Sequence, residues 1–252
     1  MLIETLHIDD VPARPLAARI GLLALATDLN SEADLRRMLP ADVGLYCNRV
    51  RHENPMSLEA LQRVAEDLPR AVRDLLPGLA LDVLVYGCTS GTIAMGEAQT
   101  LRLLGEVRAT RHATTPVTAS LAALAQVGAR RVSMLTPYRA AVNRELGSYY
   151  GERGLDVLNV SGFDMDDDYA MSDIAPEAIV AAGIRATAAG ADALFISCTA
   201  LRASEAVDRI EQAIGRPVVT SNQAVVWHAL HLMQLAAPTQ APGRLFDATR
   251  VR

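Results

Sequence analysis

Short apolar runs recur along the chain, and between them the apolar residues return at helical spacing. Residues 19–27, RIGLLALAT, show no polar alternation and read as a strand buried on both faces. A helical pattern follows; Asn30 or Ser31 can cap it and Pro40 ends it. Residues 43–50 form a second strand. Ser57 opens a long helix with apolar positions at Leu61, Val64 and Leu68, running past a kink at Pro69 to Leu76. Residues 81–86 make a third strand that leads into Cys88. From Ala113 the alternation resumes. The pattern predicts helices over 116–126, 139–153, 176–189, 204–214 and 222–235, and strands over 131–135, 155–160, 193–197 and 217–220. Residues 162–173, GFDMDDDYAMSD, read as an acidic loop, and the tail beyond Pro238 as loose at its end.

Strand and helix in regular alternation specify parallel sheets covered by helices on both faces. Three such units before residue 113 and four after it predict an α/β fold of two doubly wound lobes with a cleft between them. The first lobe takes residues 1–112, joined by the C-terminal stretch 221–252, and the second takes 113–220. A repeated junction points to a pseudo-twofold relation between the lobes. Residues 83–97, VLVYGCTSGTIAMGE, and 193–207, ALFISCTALRASEAV, each run from an apolar strand through Cys-Thr and a short turn into a helix. Side chains at such a junction sit at the strand's C-terminal end, where open α/β sheets bind ligands. The following helix aims N–H groups and its positive end at the same place, which favours anions and lowers a thiol's pKa.

Composition narrows the possibilities. In 252 residues, half are hydrophobic, enough for a sizeable core. The net charge of −5 comes without runs of like charge, and every basic residue is Arg, so nothing resembles a nucleic-acid footprint. No apolar run reaches transmembrane length, and the first ten residues carry acids where a secretory leader carries bases, so a cytoplasmic protein is expected. The cysteines, Cys47, Cys88 and Cys198, are odd in number and far apart, as reduced thiols are. Cys47 lacks the junction context and reads as structural. Without CxxC, HExxH or clustered His and Cys, no metal is expected.

Two thiols facing each other across a cleft suit chemistry at an acidic or activated carbon. One side removes a proton and the other returns it, or one thiolate adds to a double bond while the other handles the proton. Thr89, Ser90 and Thr199 follow the cysteines and can hold a carboxylate, although the same atoms suit helix capping. Three activities stay open on these residues: an isomerase or racemase, a decarboxylase or lyase, and a binding protein that has lost its chemistry.

The pair GCTSGT and SCTALR, with LATD at 25–28, LTPYR at 135–139 and PVVTSNQAVVWHAL at 217–230, resembles the aspartate/glutamate racemase superfamily. Within it the closest likeness is to the branch of maleate cis–trans isomerases, arylmalonate decarboxylases and ectoine-utilisation proteins. The resemblance implies a site between the lobes, no cofactor and no metal, a small carboxylate substrate and a dimer or tetramer. It implies Cys88 as the thiol that attacks and Cys198 as the one that handles the proton from the other face. It also implies Tyr138, Thr89, Ser90 and Thr199 as groups that hold the carboxylate. One departure stands out: Asp28 occupies a position where maleate isomerases carry an amide. Asp28 would repel a second substrate carboxylate unless protonated or paired with Arg49, and it suits a substrate amine; capping of the next helix is the other role open to it. Asn222 and Gln223 are expected to cap the last helix and bond between lobes, Trp227 to lie in the core and His228 to be structural. Arg49 and Arg51 stand within reach of a carboxylate or of solvent.

Overall fold

The computed structural model describes residues 1, 3–6, 16–247 and 249; the readings made on the first ten residues and on the end of the tail lie partly outside these. Among the described residues eight strands and ten helices alternate. The first half holds β1 (Ala18–Leu25), α1 (Ser31–Met38), β2 (Val43–Val50), α2 (Leu58–Asp74), β3 (Val83–Tyr86), α3 (Thr89–Met95), α4 (Glu97–Val107), β4 (His112–Thr114) and α5 (Pro116–Gln126). The second holds β5 (Arg131–Tyr138), α6 (Ala140–Glu152), β6 (Asp156–Met165), α7 (Asp168–Ser172), α8 (Pro176–Ala186), β7 (Ala193–Ile196), α9 (Val207–Ile214), β8 (Val218–Thr220) and α10 (Ser221–Leu232).

The strands form two sheets with one topology, β2-β1-β3-β4 and β6-β5-β7-β8, every pair parallel. The central strands are buried along their whole length because helices cover both faces, which is why they read as unbroken apolar runs. α10 follows the last strand of the second sheet and packs on α1, α5, β3 and β4, so it bridges the halves. No described helix is long and apolar enough to cross a membrane.

The fold follows the periodicity closely and departs from it where side chains meet distant parts of the chain. α4 and β4 fall outside the seven expected units; β4 is only three residues long and extends the first sheet to Thr114. Gly96, at φ +85°, makes the break between α3 and α4. α2 runs past Pro69, as its periodicity predicts, and ends at Asp74; Ser57 caps it by accepting from the Ala60 N–H. The expected acidic loop is mostly ordered structure. β6 runs on to Met165, and Asp167 then accepts from the Tyr169 and Ala170 N–H groups to start α7.

Phe195, fully buried on β7, packs its ring 5.3 Å from that of Tyr150. Phe195→Ala is expected to cost about 3–5 kcal/mol through lost burial and a cavity. Urea unfolding should show a lower midpoint at an unchanged slope.

Candidate active site

In both sheets the strand order reverses between the first and third strands, which opens a crevice beyond their C-terminal ends. The two crevices face each other. β1 delivers Thr27 and Asp28, the segment after β2 delivers His52 and Met56, and β3 delivers Cys88 and Ser90. From the other lobe β5 delivers Tyr138, the segment after β6 delivers Asp168, and β7 delivers Cys198, Thr199 and Ala200. All of these except His52, together with Leu25, line one small cavity. A larger open groove between α6 and β6, lined by Asn143, Arg144 and Asp164, contains neither thiol.

Cys88 caps α3: its Sγ accepts from the Gly91 N–H at 3.2 Å and lies 3.6 Å from Ser90 Oγ. Cys198 Sγ accepts from the Ala200 N–H at 3.3 Å. The second junction is not the copy of the first that the sequence suggests. Residues 199–202 form a loop, 203–205 a single 3-10 turn, and the α-helix begins only at Val207. The carbonyls here serve the other lobe: Asn222 Nδ2 donates to Thr199 O at 3.0 Å, and Asn30 Nδ2 to Leu201 O at 2.8 Å.

Both thiols are buried, and burial pushes them up, Cys88 to about 11 and Cys198 to about 12. The Ser90 hydroxyl and Gly91 N–H pull Cys88 down. The Tyr138 hydroxyl and Ala200 N–H pull Cys198 down, while the Asp168 carboxylate pushes both up. The depressed thiol pKa expected from helix N-termini is therefore absent, because desolvation outweighs one or two N–H donors. At neutral pH the unliganded site holds two neutral thiols.

Six of the seven residues singled out from sequence, Asp28, Cys88, Ser90, Tyr138, Cys198 and Thr199, come together at the cavity. Thr89 does not: its Oγ1 lies 3.0 Å from Ser221 Oγ and ties the first junction to α10. Thr199 Oγ1 donates to Gly87 O at 3.0 Å, leaving the rest of the residue at the wall. Asp28 takes its helix-start role, accepting from the Asn30 N–H at 2.9 Å, the Ser31 N–H at 2.7 Å and the Ser31 hydroxyl. Arg49 bonds backbone carbonyls, Leu25 O at 3.1 Å and Asp28 O at 2.5 Å, rather than a carboxylate. Arg51 is exposed. Asn222 and Gln223 act as expected, the first between lobes and the second in a capping box with Thr220. Trp227 lies in the core, and His228 Nδ1 sits 2.8 Å from Thr114 Oγ1. Cys47 is half-buried away from the cavity.

Thr27, Met56, Asp168 and His52 were not legible as site residues. Asp168 Oδ2 accepts from Thr27 Oγ1 at 2.5 Å and stands 3.5 Å from His52 Nε2, whose ring is buried without a hydrogen bond. Burial raises the Asp168 pKa and lowers that of His52, so desolvation favours the neutral form of each. Asn54 clasps this region to the first lobe: its Nδ2 donates to Asp167 Oδ1 at 2.9 Å and its Oδ1 accepts from the Asp168 N–H at 3.0 Å. The Met56 N–H donates to Asp166 O at 2.7 Å. The acidity of 162–173 was the one signal that could have found Asp168. Among the described residues no group of three or more His, Cys, Asp and Glu side chains gathers to hold a metal ion.

Two parallel α/β lobes of one strand order, each presenting a free thiol to a shared cavity, define a two-lobed, two-cysteine α/β protein. The chain belongs to the Amdase family, arylmalonate decarboxylase, whose profile matches residues 53–246. It is 24% identical over 244 residues to the maleate isomerase of Alcaligenes faecalis, covering 89% of this chain and 93% of that one. It is 31% identical over 159 residues to the arylmalonate decarboxylase of Bordetella bronchiseptica, 62% of each chain. Among solved structures, it superposes at a TM-score of 0.82 on a Nocardia farcinica maleate cis-trans isomerase mutant with a covalently bound succinylcysteine intermediate. That match has 22% identity and covers 92% of this chain and 98% of that one.

The folded state holds the Asp168 proton more tightly than the unfolded chain does. The stability this group contributes is present at low pH and is lost as pH rises from 3.8, the ordinary aspartate value, through the raised one. Asp168→Asn is therefore expected to melt higher than the wild type at neutral pH, with the difference closing as pH falls. Thermal melts of both proteins across pH check this; a variant that melts lower at every pH would contradict it.

Proposed function

We infer that the protein is a cofactor-independent isomerase or racemase of a small carboxylate, with Cys88 and Cys198 acting on opposite faces of one carbon framework. The observation that carries this reading is the meeting of two buried free thiols, one from each lobe, at one cavity. The likeness to maleate isomerases supports it, because a succinylcysteine is what addition of a thiolate to the double bond of maleate leaves after protonation.

In the cis–trans route the Cys88 thiolate adds to one alkene carbon, and the displaced electron pair moves to the neighbouring carbon, where the attached carboxylate holds it as an enediolate. Cys198 gives that carbon a proton and takes it back. Rotation about the new single bond and departure of the thiolate leave the trans alkene. In the racemase route one thiolate removes the α-proton and the opposite thiol delivers its own. In both, Ser90, Tyr138 and the Thr199–Ala200 backbone hold the carboxylate on which charge develops.

The cavity wall bears two carboxyl groups, Asp28 and Asp168, and no Arg or Lys. A substrate with a second free carboxylate, maleate or a malonate, meets repulsion there to the extent that these groups are ionised, which burial opposes at both. An amino-acid derivative instead offers an amine that would favour their charged forms. The resemblance to the ectoine-utilisation branch makes acetylated diaminobutyrates natural first compounds, and a cytoplasmic dimer or tetramer the form to look for.

The test is NMR in deuterium oxide on maleate, D- and L-aspartate, glutamate, arylmalonates and N-acetylated diaminobutyrates, with wild type, Cys88→Ala and Cys198→Ala. One compound should exchange its α-hydrogen or isomerise, and each variant should lose about 10³-fold or more of that rate. Loss of carbon dioxide with uptake of one deuteron would assign a decarboxylase instead. Turnover that survives either substitution, or a silent panel, would sink the reading.

A further inference from the structure

Behind Cys88, away from the cavity, lies a group that the two-thiol chemistry does not account for. Tyr86, on β3 two residues before the cysteine, is fully buried, and its hydroxyl makes no hydrogen bond. Buried phenol hydroxyls ordinarily find a partner, so an orphan calls for a reason. The group it faces is the Cys88 sulfur. A β-carbon built on Gly91 would collide with Tyr86 Oη and stand 3.0 Å from Cys88 Sγ, so hydroxyl and sulfur flank the same point over Gly91. Only a residue without a side chain leaves that point open, which gives Gly91 its role.

The second junction lacks this arrangement. The residues two before and three after Cys198 are Ile196 and Leu201, both fully buried aliphatics, where the first junction has Tyr86 and Gly91. The lobes are alike in strand order and in Cys-Thr, and they differ at these two positions; the phenol near Cys198 is that of Tyr138, which comes from β5 and lines the cavity.

We propose that Tyr86 is a positioning residue whose hydroxyl, admitted by Gly91, donates to the Cys88 thiolate and so makes Cys88 the thiol of the pair that ionises first. With Cys88 a thiol, the phenol has a poor acceptor and stays unpaired; when the proton leaves, the sulfur becomes a strong, charge-assisted acceptor. The hydroxyl then joins the Gly91 N–H and the Ser90 hydroxyl around one sulfur. The other titratable groups facing Cys88 are Asp168 from α7, backed by His52, Tyr138 from the end of β5 and Cys198 from the end of β7. Asp168 opposes ionisation of both cysteines, so it cannot distinguish them. The Tyr138 phenol beside Cys198 lines the cavity and, in the proposed reaction, holds the carboxylate, whereas Tyr86 lies off the cavity and serves Cys88 alone.

The proposal rests on a thiolate being used, but its test reads ionisation rather than turnover. Peptide-resolved alkylation by iodoacetamide, from about pH 6 to about pH 10, reports each cysteine of the intact chain separately. Removing one charge-assisted donor should move the Cys88 profile of Tyr86→Phe up by about one pH unit, a roughly tenfold slower labelling at fixed pH. The Cys198 profile should stay where it is. Since Phe keeps the ring and removes an unpaired hydroxyl, the melting temperature should hold or rise, whereas a merely structural Tyr would leave a protein that melts lower. Gly91→Ala should lower the melting temperature more in the wild type than in Tyr86→Phe, where the colliding oxygen is gone. Coincident Cys88 profiles, no Cys88 labelling in either protein, or equal shifts at Cys88 and Cys198 would overturn the proposal. None of these depends on a substrate, so failure of the substrate panel and failure of this assignment remain separate.

Discussion

The carbonyl oxygen of Thr199 is the point at which the halves of the molecule are held in register. Asn222, at the start of α10, donates to it at 3.0 Å and with the same amide donates to Asp34 of α1 at 2.9 Å. Asp34 in turn accepts from Ser204 and pairs with Arg37, and Asn30 reaches Leu201. Each neutral bond contributes about 1 kcal/mol net, but an unmet buried donor or acceptor costs more, so the network is kept whole or not at all. It fixes the residues that follow Cys198 against the start of α1, and Thr199 Oγ1 fixes them against Gly87, next to Cys88. Two thiols from different lobes face one cavity because these bonds leave the lobes one way to meet.

The same closure sets the chemistry's difficulty. Burial that excludes water strengthens every donor aimed at a developing charge, and it also suppresses the thiolate that the proposed chemistry needs. Asp168 adds to that suppression. The local donors answer it in part, more fully on the Cys88 side. A bound ligand that brings positive charge to Asp168 would remove the opposing field at the moment the thiolate is needed. The acidic wall and the raised thiols are thus parts of one electrostatic arrangement.

Pseudo-symmetry accounts for much of the site and fails at instructive places. β1 and β5 deliver Asp28 and Tyr138, β2 and β6 lead to Met56 and Asp168, and β3 and β7 end at the two cysteines. Repetition supplies matched positions, but the side chains at those positions differ in kind: Asp28 stands where the second lobe has Tyr138, and Met56 where it has Asp168. At the cysteines, a helix caps onto Cys88 while a loop held by the other lobe follows Cys198.

Local pattern determined the architecture. Alternating apolar strands and amphipathic helices, together with the doubled Cys-Thr junction, specified parallel sheets, two lobes and the strand ends at which six of the cavity residues stand. Those features were legible because burial periodicity and turn chemistry act over a few residues. What only the tertiary structure decided lies in contacts between distant segments. Thr27 and Asp168 are 141 positions apart, and Asn54 and Asp168 are 114 apart. No periodicity announces that a short acidic stretch will fold as a helix that brings Asp168 to the cavity wall. Nor does a Cys-Thr motif disclose that Thr89 will turn to α10, or that desolvation will raise both thiols where a helix N-terminus alone would lower them. Spacing along the chain set which residues could stand at the strand ends; the exclusion of water, a property of the whole assembled core, set what those residues are once there.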